Sequence, residues 1–163
     1  MNKTKTMAEL LDTLPQVGRV EWIAIRPERR APMRVLDSVE ADTKVGLVGD
    51  RYAGSSGKRQ VTLAQYEHLP AIASMLNLAE LDPAKLRRNI VVNGINLLAL
   101  KGKQFLIGDA VLEFTGLCHP CSFMEQTLGA GGYNAVRGHG GITARVIRSG
   151  LIRLNDKVSK KTS

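Results

Sequence analysis

Apolar residues recur along this chain in short runs, and glycine or proline ends most of them. Residues 20–25 form one such run and stop before Pro27, while residues 105–107 and 110–115 flank a Gly108-Asp109 turn. Runs of this length between turn residues are typical of β-strands. Further strands are predicted at 33–41, 45–48, 61–63, 90–92, 143–148 and 151–154, which makes about nine.

Helix signals are few and short. Thr6 and Glu9 have the spacing of a capping box at the start of an N-terminal helix, which Pro15 ends. Residues 64–76 are predicted to be helical but split at Pro70, and Asp82 begins a short helix over 83–88. Strands and helices do not alternate regularly, so we expect a mainly β fold. The predicted architecture is a closed or nearly closed β-barrel with two or three short peripheral helices.

The length of 163 residues favours one domain. We divide the chain into a helical extension (1–17), a barrel domain (18–158) and a disordered basic tail (159–163). No run approaches the ~20 apolar residues of a membrane span. The N-terminus has no apolar signal segment, and two cysteines two residues apart fit reduced thiols, so a cytoplasmic protein without a membrane partner is expected.

Charge points to anionic ligands, because 23 Lys and Arg outnumber 15 Asp and Glu for a net charge of +8. A glycine-rich loop at 49–60 and two further segments supply cations and N–H donors; the candidates are Arg51, Lys58, Arg59, Arg88, Asn89, Arg137 and His139. Solvated loops and a basic helix end are the alternative reading. Nucleic acid is not expected as a partner, since none of the seven aromatic residues interleaves with a basic run.

The two cysteines lie in the sequence Cys118-His119-Pro120-Cys121. Three chemistries are open for them: thiol–disulfide exchange, zinc binding with His119 or His139 as added ligands, and a reactive or soft-metal-binding thiolate. In the third, Arg137 or His139 would help to keep a thiolate ionised. Two buried small apolar side chains are the fourth alternative.

Several segments together resemble the MOSC domain, the family named for the C-terminal domain of molybdenum cofactor sulfurase. They occur in the family's order over residues 18–158: GLVGDRYAG (46–54), KRQVTL (58–63), RRNIVVNGINL (87–97), GDAVL (108–112), PC (120–121) and RGHGG (137–141). The resemblance implies a β-barrel with one essential cysteine, and the matching position is Cys121. Cys118 is an additional thiol, so both are candidate catalytic residues.

The resemblance further implies that Cys121 carries sulfur or is the metal ligand for molybdenum in the molybdenum cofactor (molybdopterin). The cations named above would hold the cofactor's phosphate while Asn89 orients the site. At family level it also implies pyridoxal phosphate binding. Small stand-alone members suggest reduction of N-hydroxylated compounds, so a sulfur transferase or a component of a cofactor-dependent reductase is expected. The alternative is a zinc- or redox-responsive CxxC binding module.

The expected partners follow from this interpretation. They are an anionic small-molecule cofactor and a protein that donates sulfur or electrons. A homo-oligomer also stays open.

Overall fold

A computed structural model describes residues 3–51 and 56–162. Its strands are β1 (Gly18–Ile25), β2 (Arg34–Leu36), β3 (Ser38–Asp42), β4 (Gly46–Leu47), β5 (Val61–Gln65), β6 (Ile90–Asn93), β7 (Gln104–Ile107), β8 (Ala110–Leu117), β9 (Ile142–Arg148), β10 (Gly150–Arg153) and β11 (Lys157–Lys160). The α-helices are α1 (Met7–Asp12), α2 (His68–Met75), α3 (Ser122–Leu128) and α4 (Gly132–Val136), and Pro83–Leu86 and Leu97–Leu100 are 3₁₀ helices.

Seven strands form a closed barrel, in the order β1, β6, β5, β9, β8, β7 and β11. Pairing of β11 with β1 closes it, with Gly18 opposite Val158 and Arg19 opposite Lys157. The β5–β6 pair is parallel and the other neighbours are antiparallel. Strand β2 extends the sheet beyond β1, and β10, β3 and β4 form a second small sheet. The predicted barrel is therefore confirmed.

The barrel interior is the main hydrophobic core. Large side chains from several of its strands are fully buried there, among them Ile23, Leu63, Ile90, Phe105 and Leu112. A smaller cluster lies outside the barrel wall beneath the helices and includes Ile72, Met124 and Val136. Strands β5 and β6 have apolar groups packed against both of their faces. Every residue of β5 is therefore buried.

The prediction for residues 64–76 is wrong at its start and at Pro70. Ala64 and Gln65 continue β5, and α2 begins only at His68. A strand covered on both faces loses the alternation that distinguishes it from a helix. Pro70 does not split α2, because it lies in the first turn, where backbone N–H groups have no partner within the helix.

Two other predicted boundaries are also corrected. Residues 33–41 are not one strand: β2 pairs with β1, whereas β3 pairs with β10 and β4 in the other sheet. The disordered tail was predicted to start at residue 159, which is too early in the chain. Ser159 and Lys160 belong to β11 and pair with Leu106 and Phe105, while Ser163 lies outside the described residues.

The N-terminal helix forms as predicted. Thr6 accepts a hydrogen bond from the Glu9 backbone N–H, and the Glu9 carboxylate accepts one from the Thr6 N–H. None of the residues of α1 is buried, and Leu14, after the helix, packs against the barrel core. Among the described residues, no helix has the length and apolar character needed to cross a bilayer.

Candidate functional site

An open pocket of about 470 Å³ lies where segments distant in sequence meet. It contains the Cys121 end of α3 together with Phe123, Met124, His119 and one acid, Glu28. Seven arginines complete the described lining: Arg26, Arg29, Arg30, Arg51, Arg59, Arg87 and Arg88. So many guanidinium groups around one opening make the pocket strongly attractive to anions.

The two cysteines have different surroundings. Cys121 is exposed and opens into the pocket at the N-cap position of α3, whereas Cys118 is only 2% exposed. The Nη2 atom of Arg59 lies 3.8 Å from Cys118 Sγ. Both thiols are free. The fold therefore presents one thiol to ligands and holds the other beneath it.

Arg88 is buried, with 7% of its surface exposed, and it organises the cysteine loop. Its Nε donates to the Gly140 carbonyl at 2.7 Å and its Nη1 to the Leu86 carbonyl at 2.9 Å. Its Nη2 lies 3.5 Å and 3.4 Å from the carbonyls of Cys118 and His119. Burial lowers the pKa of Arg88, while the nearby sulfurs of Cys118 and Cys121 act in the opposite direction.

The cysteine loop also depends on Gly140 and Gly141. The Cys118 N–H donates to the Gly141 carbonyl at 2.8 Å. A Cβ on Gly140 would lie 2.0 Å from the Cys118 carbonyl oxygen, and one on Gly141 would lie 1.9 Å from that of Leu63. Gly141 also has φ +87°, a conformation that favours glycine. The predicted RGHGG segment thus permits close backbone packing beside Cys118.

Arg26 is fixed by Asp50, whose side chain is fully buried. The Asp50 carboxylate accepts from the Arg26 backbone N–H at 2.6 Å and from Arg26 Nη2 at 3.1 Å. The sequence places Asp50 in a loop, with no obvious histidine partner. The structure shows that it connects that loop to the end of β1, and a charge-assisted pair with backbone support is a rigid connection.

Phe123 gives the pocket an aromatic wall with guanidinium groups over its ring. The Cζ atoms of Arg30 and Arg87 lie 5.6 Å and 5.8 Å from the ring centroid, within the range of cation–π attraction. Arg87 also donates to the Ala31 carbonyl, which links the 3₁₀ helix region to the basic loop after β1. The pKa of Arg87 is lowered by burial and then by Arg26, with Asp50 opposing.

Only some of the predicted binding residues line this pocket: Arg51, Arg59 and Arg88 do, as does Cys121. Lys58 and Arg137 are not part of its described lining, although both are exposed. Residues 52–55 of the predicted anion loop lie outside the described residues.

Asn89 and His139 have structural contacts instead. Asn89 is fully buried; its Oδ1 accepts from the Thr62 N–H at 3.0 Å and its Nδ2 donates to the Ala24 carbonyl at 3.2 Å, so it ties β5 to β1. His139 Nδ1 lies 3.3 Å from His68 Nδ1, and the two rings are in an edge-to-face arrangement. Neither contact is with the pocket.

Sequence reasoning did not select Arg26, Arg29, Arg30 or Phe123 as site residues. The signal available was the density of arginine in the proline-containing loop at 26–34, directly after a strand. What was missing was the pairing of β1 with β6, which brings this loop beside residues 87–88.

A multi-ligand zinc centre has no geometric support in residues 3–51 and 56–162. Over these ranges, no group of three or more His, Cys, Asp or Glu side chains is arranged to hold a metal ion. The chemistry of the pocket is instead that of one accessible thiol among cations, which suits an anionic ligand with a soft atom.

The family model of the MOSC domain matches residues 45–159. The chain therefore belongs to the MOSC domain family, and the predicted resemblance is confirmed. A search of curated proteins finds no match.

Solved structures support the fold. The structure of the YuaD protein from Bacillus subtilis matches with a TM-score of 0.76 at 20% identity. This match covers 90% of the present chain and 97% of the YuaD chain. The structure of YiiM from Geobacillus stearothermophilus matches with a TM-score of 0.71 at 12% identity. This match covers 89% of the present chain and 75% of the YiiM chain. The structure of YiiM from Escherichia coli matches with a TM-score of 0.65 at 18% identity. This match covers 89% of the present chain and 70% of the YiiM chain.

Proposed function

We propose that this MOSC domain binds a phosphate-bearing molybdenum cofactor in the arginine pocket, with Cys121 as the protein ligand of the metal. The observation that carries the proposal is the exposed Cys121 thiol opening into a pocket lined by seven arginines. A thiolate is a suitable ligand for a soft metal, and guanidinium forks match the oxygens of a phosphate.

The residues of the pocket fit such a group because they have different roles in holding it. Arg59 and Arg51 are exposed at the pocket, where their guanidinium groups can bind phosphate oxygens, whereas Arg88 holds the cysteine loop through backbone carbonyls. Phe123 offers an apolar face next to these charges. When bound, the group would supply a redox-active metal, and this chain would orient it and provide the anchoring sulfur.

The reaction proposed for the loaded protein is reduction of N-hydroxylated compounds, as the resemblance implies. This reaction needs an electron source, so a redox partner protein belongs to the proposal. The cationic rim at Arg29, Arg30 and Arg51 favours a partner with an acidic surface.

The binding proposal is tested by expressing the full chain in cells that make the cofactor and measuring molybdenum and pterin per purified chain. Cys121→Ser should lose most of the molybdenum, and Arg59→Gln should lose both molybdenum and pterin. Arg137→Gln removes an exposed cation outside the described pocket lining and should leave both unchanged. Equal molybdenum in wild type and Cys121→Ser would exclude the thiol as a ligand.

A second candidate, carriage of sulfur on Cys121, is favoured by the exposure of that thiol alone of the two. The intact protein, after incubation with a persulfide donor, should gain the mass of one sulfur atom that maps to Cys121. An added sulfur that persists in Cys121→Ser would contradict it.

A further inference from the structure

No acidic side chain among the described residues pairs with the buried Arg88 guanidinium. Its hydrogen bonds all go to backbone carbonyls, and no ion pair from the described residues reaches it. A buried charge is costly unless an opposite charge compensates it. Among the described residues, the thiols of Cys118 and Cys121 both interact electrostatically with Arg88.

Cys118 is the better placed of the two to compensate this charge. Its sulfur lies 3.8 Å from Arg59 Nη2, and its carbonyl oxygen lies 3.5 Å from Arg88 Nη2. The guanidinium of Arg59 therefore lies beside the sulfur of Cys118, and a thiolate is the nucleophile in thiol–disulfide chemistry. A Cys118 that served only as an apolar core residue would not need an arginine beside its sulfur.

The exposure of the two thiols also assigns them different roles. A small oxidant in solvent reaches Cys121, which is exposed, before Cys118, which is 2% exposed. Residues 118–121 belong to neither a helix nor a strand, and the Cys121 carbonyl accepts from the Met124 N–H at 2.9 Å at the start of α3. An accessible thiol followed by a shielded second thiol is the arrangement found in redox-sensitive pairs.

We propose that Cys118 is the resolving thiol of Cys121, so that the pocket is an oxidation-sensitive dithiol site. The Cys121 thiolate attacks a peroxide, taking one oxygen to become a sulfenic acid while the other oxygen leaves as hydroxide. The Cys118 thiolate then attacks the Cys121 sulfur, forming the Cys118–Cys121 disulfide and releasing a second hydroxide. Two thiols lose two electrons, the peroxide gains them, and two protons convert the hydroxides to water.

The disulfide would have a regulatory consequence, which rests on the proposed function. It removes the free Cys121 thiol, the proposed metal ligand, from the pocket. Oxidised protein should therefore not take up the molybdenum cofactor, and a dithiol reductant should restore uptake.

The chemical step is tested on the full chain without cofactor, so its outcome does not depend on whether the cofactor binds. After hydrogen peroxide treatment, the intact mass of wild type should fall by two hydrogen atoms, and peptide mapping should show Cys118 joined to Cys121. Dithiothreitol should reverse the change. An unchanged mass, or disulfide-linked dimers as the main product, would overturn the proposal.

Variants separate the two roles. In Cys118→Ser, a dimedone adduct should accumulate on Cys121, whereas Cys121→Ser should retain a reduced Cys118 at the same peroxide dose. Arg59→Gln should slow disulfide formation several-fold, and Arg137→Gln should not. Thermal unfolding of each variant checks that it is folded. Equal rates of Cys121 over-oxidation in wild type and Cys118→Ser would show that Cys118 does not resolve.

Discussion

Residues of one type have distinct roles in this protein according to their burial. Arg88 is buried and donates to the carbonyls of the cysteine loop, whereas Arg59 is exposed and reaches both Cys118 and the pocket. Removal of Arg88 would leave several buried carbonyls without donors, and such groups cost about 1–3 kcal/mol each. Variants of Arg88 therefore test stability and loop geometry more than ligand binding.

Glycine shows the same dependence on surroundings, and Gly141 gives a residue-scale prediction. Gly141→Ala should destabilise the protein by more than about 3 kcal/mol, because a Cβ would lie 1.9 Å from the Leu63 carbonyl oxygen at a positive φ. Urea unfolding measures the change.

Gly138→Ala is the matched control. Gly138 has φ +81°, but among the described residues nothing beyond its chain neighbours lies within 4 Å of where a Cβ would be. Only the backbone conformation therefore opposes alanine, at about 1–2 kcal/mol. Similar losses for the two variants would show that close approach to β5 is not the constraint.

At the scale of secondary-structure elements, signals from neighbouring residues predicted local structure reliably. They did not predict which strands pair with each other. The capping box of α1 and the Gly108-Asp109 hairpin were predicted because each depends on residues a few positions apart. The division of residues 33–41 into β2 and β3 depends on distant strands, so no local pattern records it. Helix α3 ends at Leu128, and its C-cap residue Gly129 has φ +90°, a local stop signal of the same kind.

Strand β11 gives the element-scale prediction. Removal of residues 157–163 should prevent folding or lower the melting temperature severely, because β11 pairs with both β1 and β7 and closes the barrel. Removal of residues 162–163 leaves these pairs intact and should have little effect. Far-ultraviolet circular dichroism with thermal unfolding distinguishes the two, and a stable barrel after the longer deletion would contradict the role of β11.

At the scale of the whole molecule, the segment beside the cysteines is connected to α2 through His68 and His139. Their Nδ1 atoms are 3.3 Å apart, a contact that two protonated rings cannot keep as a hydrogen bond. The pKa of His68 is lowered mainly by burial and then by His139, while Glu67 opposes the shift. His139 directly precedes Gly140, the acceptor of Arg88 Nε.

A pH dependence follows from the direction of this shift. The unfolded chain binds a proton at His68 more readily than the folded chain, so this contribution to stability should fall as the pH drops through about 6.5. Urea midpoints measured from pH 8 to pH 5.5 should show a loss that His68→Gln reduces. His119→Gln, at an exposed histidine, is the control and should retain the wild-type slope. If stability in His68→Gln depended on pH as steeply as in wild type, the proposed role of His68 in this pH dependence would be wrong.

The sequence by itself determined most of the strands, the capped helix, the pair of thiols and the excess of cations, because each is set by residue type and short spacing. Its ordered motifs were also sufficient to indicate the MOSC family. Tertiary structure alone decided that Cys121 is exposed and Cys118 buried. It also decided that the loop after β1 meets Arg59 and Arg88 at one pocket. The reason is that barrel closure pairs strands far apart in the chain, and which loops become neighbours depends on that pairing rather than on the composition of any one loop.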